Sequence, residues 1–428
     1  MNPVTFKYIL LALIVLEYIG SLVAYLLSAN QRKKPLPECV KGVYDEAEYA
    51  RWVAYTKEKK RMGFYHHIFM TLLTLAIFAF DLLPLADRAI GAVLNVGSRD
   101  IIILMSLFSV VSQLAELPTS YYFTFHIEEK YGFNKSTKKT FWVDQIKSLI
   151  LNLLLNNGLM LLAYTLQNLM GMWMALGIFL FLVLVMVLTS LFPLGFQKLF
   201  YKFTPLPEGA LRDRLTAMFK AHGYTAKEIY VMNASKRTTR ANAFCAGLGR
   251  GKKIALFDNL VDHYTEDEIT AVFAHELGHA KHRDTLKLVG LQAVIYAAMS
   301  LLITFMLTSE TVSLALGFDT YNAAGAFIAL SAVVLGPVMT ILMAPINVLS
   351  RRFERGADTF AVENGLGDAM VEALTRISRD NLADLNPHPF LSAIGDSHPT
   401  LGERIQVIRA AQKKPEKRPP AAESQKLS

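Results

Sequence analysis

Residues 173–192 read WMALGIFLFLVLVMVLTSLF, twenty residues without a charged side chain. A helix needs about 20 apolar residues to cross the hydrocarbon core of a bilayer. Six further stretches have the same character: Phe6–Ser28, Phe64–Leu85, Ile101–Leu117, Leu149–Leu169, Leu288–Leu307 and Ala323–Leu349. The chain has 428 residues, 53% of them hydrophobic and 19% charged, which excludes a disordered, fibrous or ordinary soluble protein. The sequence therefore predicts an all-α integral membrane protein with about seven transmembrane helices.

Lys and Arg alternate between the loops that join these spans. They are abundant in the first, third and fifth loops and after the seventh span, and scarce in the second, fourth and sixth loops. The positive-inside rule then predicts an N-terminus outside and a C-terminus in the cytoplasm. The net charge of +8 falls mostly in these loops, which favours anionic lipid over nucleic acid as its partner. Two cysteines, Cys39 and Cys245, are too few for a disulfide framework and indicate a reducing compartment.

A chemical motif precedes the sixth span. Thr265 and Glu268 have capping-box spacing, which predicts a helix start, and the helix contains His275-Glu276-Leu277-Gly278-His279. Two histidines at i and i+4 share one helical face and can bind one Zn²⁺, while Glu276 can reach a water on the metal as general base. No proline follows before the span, so the sequence predicts that this helix continues into the membrane.

A zinc site needs a third protein ligand. The metzincin pattern would place Gly at 282 and His at 285, but those residues are His282 and Thr285. A glutamate on a second helix remains, and Glu354 follows the seventh span, with Asp358 four residues later. Glu354 can bind zinc while Asp358 accepts the N–H of a ligating histidine. An ion pair between Glu354 and a neighbouring arginine is the alternative that the sequence leaves open.

Taken together, several motifs are similar to those of one family. They are HELGH at 275–279, ERGAD at 354–358, Ser397-His398-Pro399, the third loop at 118–137, and Ser235-Lys-Arg followed by Asn242-Ala-Phe. This set resembles the type I CAAX prenyl endopeptidases, which are integral-membrane zinc metalloproteases. The resemblance implies helices around a large water-filled chamber, with the zinc site facing inward near the cytoplasmic side. It also implies cleavage of peptides near a prenylated C-terminal cysteine.

The resemblance extends to individual residues, and it implies one Zn²⁺ per chain. In it His275, His279 and Glu354 bind zinc, and Glu276 is the general base. Asp358 orients a ligand or donates a proton, His398 stabilises the oxyanion, and Arg404 lies near the site.

Substrate binding is assigned by the same resemblance. It implies that Asn242, Ala243 and Phe244 form an edge strand that pairs with an extended peptide. The expected partners are a peptide or lipidated-protein substrate and membrane lipid, with no nucleic acid, and the expected state is a monomer. The membrane would be the bacterial inner membrane, or the endoplasmic reticulum in a eukaryote.

Two other functions remain open at this point. The shorter heat-shock membrane metalloproteases share the zinc motifs and act in quality control, but they have fewer spans and no counterpart of this N-terminal region. A transporter or receptor with a structural metal is the alternative of a different class, since Glu17, Asp81 and Glu116 lie in or near spans and would face an interior cavity.

The spans and motifs together predict five regions and a small α+β, zincin-like catalytic portion in the cytoplasm. These regions are a five-span membrane region at 1–200, a catalytic segment with HExxH at 201–287, a membrane hairpin at 288–350, a second catalytic segment with the third ligand at 351–411, and a disordered basic tail at 412–428.

Overall fold

The computed structural model describes residues 2–94, 100–191, 197–224, 229–246 and 253–413. The N-terminal part contains α1 Pro3–Gln31, α2 Glu46–Ala79, α3 Leu82–Leu94, α4 Asp100–Tyr122, α5 Lys138–Met170 and α6 Met174–Leu191. A small α/β unit follows, with β1 Phe203–Pro205, α7 Ala210–Ala221, β2 Ile229–Met232, β3 Ala243–Ala246, β4 Lys253–Phe257, α8 Asp258–His263 and α9 Glu266–His282. The rest contains α10 Asp284–Thr308, α11 Glu310–Ala315, α12 Ala323–Ala329, α13 Leu335–Glu363, α14 Gly367–Asp380, α15 Pro389–Gly395 and α16 Leu401–Gln412. Beyond Lys413, the predicted tail lies outside the described residues.

Within the described residues, each of the seven predicted spans falls largely in helix. By length and composition, the described part of the chain has six continuous segments able to cross a membrane. One of them, Lys138–Ser190, is 53 residues long and joins α5 to α6 through a turn at Gly171, where φ is +50°. That single segment accounts for two of the predicted spans, so the predicted membrane fold is confirmed.

Two helices extend well beyond their apolar parts. α2 begins at Glu46, because Asp45 and Glu48 form a capping box, and it ends at Ala79, before Asp81 adopts φ +52°. α5 begins at Lys138, where Thr137 caps it. Hydropathy detects only the part of a helix that resembles lipid, so the charged first halves of both helices were missed.

The predicted continuous helix from Thr265 into the sixth span is wrong. Arg283 adopts a left-handed conformation with φ +57°, so α9 ends at His282 and α10 begins at Asp284. A non-glycine residue in this conformation costs about 1–2 kcal/mol, and packing of α9 on its neighbours must offset that cost. No glycine or proline marks the break, which is why the sequence pattern gave no sign of it.

The water-facing sheet has strand order β1-β2-β4-β3. β2 and β4 pair in parallel, whereas β1 and β3 pair antiparallel with their neighbours. α7 and α9 cover the sheet with buried apolar side chains, including Leu215, Phe219 and Phe273. The α+β character expected of this portion is confirmed, and β3 lies at the sheet edge.

The helix of the seventh predicted span is irregular. A π-helical segment, Leu330–Val334, joins α12 to α13, and Pro345 lies inside α13. Between the membrane helices are two adjoining cavities of about 400 and 370 Å³. Glu17 lines the first and Glu116 the second, although both side chains are exposed. Asp81 instead forms an ion pair with Lys7.

Candidate metal centre

The helix with HELGH crosses the helix with Glu354 at very short range. A Cβ on Gly278 would lie 3.0 Å from Ala357 Cα and 3.1 Å from Phe360 Cβ. Glycine therefore allows the backbones of α9 and α13 to approach closely. This crossing brings both histidines of α9 against Glu354 and Asp358 of α13.

The crossing gathers three ligand-type side chains. His275, His279 and Glu354 offer atoms that all lie within 4.8 Å of one another. The Nε2 atoms of the two histidines are 3.2 Å apart. Glu354 Oε2 is 3.4 Å from His275 Nε2, and Glu354 Oε1 is 3.2 Å from His279 Nε2. Two imidazole nitrogens and a carboxylate are a donor set that zinc accepts at catalytic sites.

Burial supports a cation at this place. Glu354 is 4% exposed, and among the described residues its buried Oε2 has no hydrogen-bond partner, the Nη2 of Arg404 being 3.8 Å away. A buried, unsatisfied carboxylate oxygen is costly unless a charge or donor meets it. The residues present therefore fit a metal ion held by both histidines and Glu354.

Each histidine is held through its other ring nitrogen. His275 Nδ1 lies 2.9 Å from Asp358 Oδ1, and Asp358 is fully buried. His279 Nδ1 lies 3.1 Å from Asp284 Oδ2, and Asp284 is 3% exposed. Such carboxylates fix the ring orientation of metal-binding histidines. Asp358 lies where the sequence predicted it, whereas Asp284 was missed because a continuous helix would carry it away from His279.

The same contacts set the charge of His279. Burial lowers the pKa of its imidazole, but hydrogen bonds to Asp284 and Glu354 outweigh burial and raise the pKa to about 9. Below that pH the imidazole of His279 holds a second proton, which a metal ion must displace. Metal binding at this site therefore releases a proton and strengthens as the pH rises toward 9.

Arg404 lies in the site, as the resemblance implied. Its Nε and Nη2 donate to Asp358 Oδ2 and Oδ1 at 2.9 and 2.6 Å, a bidentate pair. Its Nη2 is also 3.2 Å from His275 Nδ1. A capping box at Thr400 and Glu403 starts α16 one turn before Arg404. Arg404 therefore holds Asp358, which in turn holds His275.

The side chain of His398 lies next to the candidate ligand Glu354. Its Nε2 is 3.3 Å from Glu354 Oε1, while its side chain is 64% exposed. Two residues of α13 hold the turn that carries it. Arg351 donates to the carbonyls of Ala393 at 2.9 Å and Asp396 at 2.6 Å, and Asn347 donates to a further α15 carbonyl at 2.7 Å. Sequence patterns could not indicate these three hydrogen bonds, because they join residues about 40 or more positions apart in the chain.

Glu276 is half-buried on α9. Its charge is close enough to act electrostatically on both His279 and Arg404. The predicted general base therefore lies beside the candidate metal ligands.

The predicted substrate strand lies at the sheet edge. Ala243 and Phe244 belong to β3, and Asn242 directly precedes it. β4 pairs with one edge of β3, and no strand within the described ranges pairs with the other. An extended peptide could add to that free edge.

Comparisons with known proteins bear on both halves of the chain. Residues 26–202 match the family description "CAAX prenyl protease N-terminal, five membrane helices", and residues 205–412 match "Peptidase family M48". A CAAX prenyl protease 1 homolog of Arabidopsis thaliana is 32% identical over 389 residues, covering 89% of this chain and 91% of the relative. The chain belongs to the CAAX prenyl protease family.

Other members of the CAAX prenyl protease family agree in length and fold. CAAX prenyl protease 1 of Saccharomyces cerevisiae is 29% identical, covering 87% of this chain and 88% of that protein. The crystal structure of S. mikatae Ste24p aligns with a TM-score of 0.86 at 26% identity, over 94% of this chain and 98% of that one. The chain is therefore an integral-membrane metallopeptidase, and it acts on peptide or protein substrates.

Proposed function

We propose that this protein is a zinc endopeptidase that cleaves peptides near a prenylated C-terminal cysteine. The observation that carries the proposal is the buried cluster of His275, His279 and Glu354, built where α9 crosses the membrane-anchored helix α13. We assign one Zn²⁺ per chain to these three residues. Family membership supports the substrate class, because the relatives are named CAAX prenyl proteases.

The chain's own residues supply the remaining chemistry. A bound Zn²⁺ would supply Lewis-acid activation of water and of the scissile carbonyl. Glu276 takes the proton from the attacking water and passes it to the leaving amine. His398 donates a hydrogen bond to the developing oxyanion. Asp358, Asp284 and Arg404 keep the two imidazoles oriented throughout.

The matched regions favour this function over the alternatives. The heat-shock enzymes have no counterpart of the N-terminal membrane region, whereas residues 26–202 match the CAAX prenyl protease N-terminal family. A transporter with a structural metal would not require the peptidase match over residues 205–412. We further propose a monomer with region boundaries at 200/201, 287/288, 350/351 and 411/412, the first of which lies near the junction of the two family matches.

Prenylation is expected to raise kcat/KM by about 100-fold or more. A lipid chain gains about 0.8 kcal/mol per buried methylene, so burial of about four methylenes suffices for that factor. The measurement compares one peptide with an isoprenyl thioether or an S-methyl thioether on its cysteine, in detergent and in liposomes. Equal kcat/KM for both peptides in both media would exclude the prenyl-protease function and favour general degradation of membrane-associated peptides.

We also propose that the metal centre faces the cytoplasm, in the bacterial inner membrane or the endoplasmic reticulum. The asymmetry in Lys and Arg supports this orientation. In a chain without Cys39 and Cys245, expressed in intact bacteria, an impermeant thiol reagent is expected to label Asp319→Cys and spare Lys413→Cys. The side chain of Asp319 is 82% exposed, so access does not limit its labelling. The opposite pattern would invert the orientation.

A further inference from the structure

A cavity of about 590 Å³ begins at the metal centre and continues along α14 and α15. His398 and Arg404 line it next to the candidate ligands, and Lys59 and Arg240 also line it. A second cavity of about 370 Å³, bordered by Phe123 and Glu128, shares Lys59 and Arg240 with the first. These two cationic residues therefore stand where the two cavities adjoin.

The edge strand indicates which end of a substrate enters this region. Sheet edges accept antiparallel strands more often than parallel ones, and antiparallel addition to β3 sends the peptide's C-terminal end past Asn242 toward Arg240. The segment leading into β3 is fixed, since Asn259 donates to the carbonyls of Thr238 at 2.7 Å and Arg240 at 3.1 Å. The C-terminal side of the scissile bond thus points to the junction of the cavities.

The substrate's chemistry calls for a cation there. A C-a-a-X segment has three residues after its cysteine and ends in a free carboxylate. If the bond after the cysteine is cleaved, that carboxylate lies about 10 Å beyond it in extended chain. Arg240 is two residues before Asn242, or about 7 Å in extended chain. The distance of about 10 Å from the scissile bond to the carboxylate is therefore compatible with the distance of about 7 Å from Asn242 to Arg240.

Of the cations at the junction, Lys59 is the one without a close carboxylate partner, since Glu128 attracts its charge but lies beyond ion-pair distance. Arg240 is offset by Glu128 at 3.3 Å and also donates to Tyr55 Oη at 2.7 Å. The Lys59 Nζ lies 5.6 Å from the Tyr55 ring centroid and 5.5 Å from that of Phe123. It makes no hydrogen bond or ion pair with the part of the chain that the structure describes. The aromatic rings hold the ammonium group in place without neutralising it.

The neighbouring Lys60 is less suited to this role. It lines only the larger cavity, where the carboxylates of Asp384 and Asp396 also lie and attract it. An incoming carboxylate would meet both of these acidic groups. Lys59, by contrast, lines both cavities together with Arg240.

We infer that Lys59, at the junction of the two cavities, binds the C-terminal carboxylate of the tripeptide that leaves after cleavage. The inference rests on the proposed function, and it assigns to Lys59 the selection of substrates by the number of residues after the cysteine. It implies that the enzyme prefers a cysteine three residues from a free carboxyl end over the same cysteine in a blocked peptide.

The test uses the full chain in detergent and a pair of farnesylated peptides of identical sequence, one with a free C-terminal carboxylate and one with a C-terminal amide. The wild type is expected to prefer the carboxylate by about 10- to 100-fold in kcat/KM, the range for a charge-assisted hydrogen bond. Lys59→Met is expected to reduce this ratio to near one, and Lys59→Arg to retain most of it. Lys57→Met is the matched control, because Lys57 is an exposed lysine on the same helix that lines neither cavity.

The outcomes separate this inference from the function on which it rests. Equal cleavage of both peptides by the wild type, or an unchanged ratio in Lys59→Met, would overturn the assignment of Lys59 and leave the peptidase function intact. Loss of the ratio in Lys57→Met as well would also overturn it, because a general charge effect would then explain the preference. No cleavage of either peptide by the wild type would overturn the proposed function and this inference with it.

Discussion

Glu276→Gln is expected to lower kcat by about 10²- to 10⁴-fold, the range for loss of a general base. The amide has nearly the same size as the carboxylate but cannot accept the proton of the attacking water. The metal content should remain at about one ion per chain, because His275, His279 and Glu354 are unchanged. Activity on a prenylated peptide and metal analysis of the same preparation measure both effects.

A suitable control for this variant is Glu266→Gln, an exposed change in the first turn of the same helix. It should cleave the peptide like the wild type. If Glu276→Gln also did so, the proton would have to be carried by another group, and the assigned mechanism would be wrong.

Glu354→Ala is expected to lose the metal and, with it, all measurable peptidase activity. Glu354 is 4% exposed and lies within 3.4 Å of both histidines, so its removal leaves two ligands and a buried gap where a charge had been. Two protein ligands are fewer than the three of known catalytic zinc sites. The metal content after dialysis should fall from about one ion per chain to a small fraction of that.

Glu363→Ala provides the comparison for this second variant, since it removes an exposed glutamate from the end of the same helix. It should retain both metal and activity. Full metal content in Glu354→Ala would remove Glu354 from the ligand set and make Asp358, which is also buried on α13, the next carboxylate to test.

Sequence patterns predicted the features of this fold that depend on residues close together in the chain. Apolar runs of sufficient length located the six segments of the described chain that could cross a membrane, and the capping box at Thr265 located the start of α9. The pairing of HELGH with Glu354 followed from ligand chemistry, because two histidines on one helix leave a zinc site incomplete. The structure places all three residues in one cluster.

Such patterns did not predict the features that depend on tertiary packing. The helix break at Arg283 has no sequence signal, and without that break Asp284 would not reach His279. Arg351 holds the turn before His398 through backbone carbonyls, which any residues would supply. The ring contacts of Lys59 come from Tyr55 of α2 and from Phe123, which follows α4, two residues far apart in the chain.

The order in which the chain is synthesised gives the crossing of α9 and α13 a further consequence. The two histidines emerge from the ribosome well before Glu354, which follows two additional membrane helices. Until those helices are inserted and α13 packs at Gly278, the proposed metal centre lacks Glu354, its third proposed ligand, and Asp358. A nascent chain therefore cannot cleave neighbouring polypeptides during its own insertion. On this assignment, proteolytic competence arises only when the membrane assembly of the protein is complete.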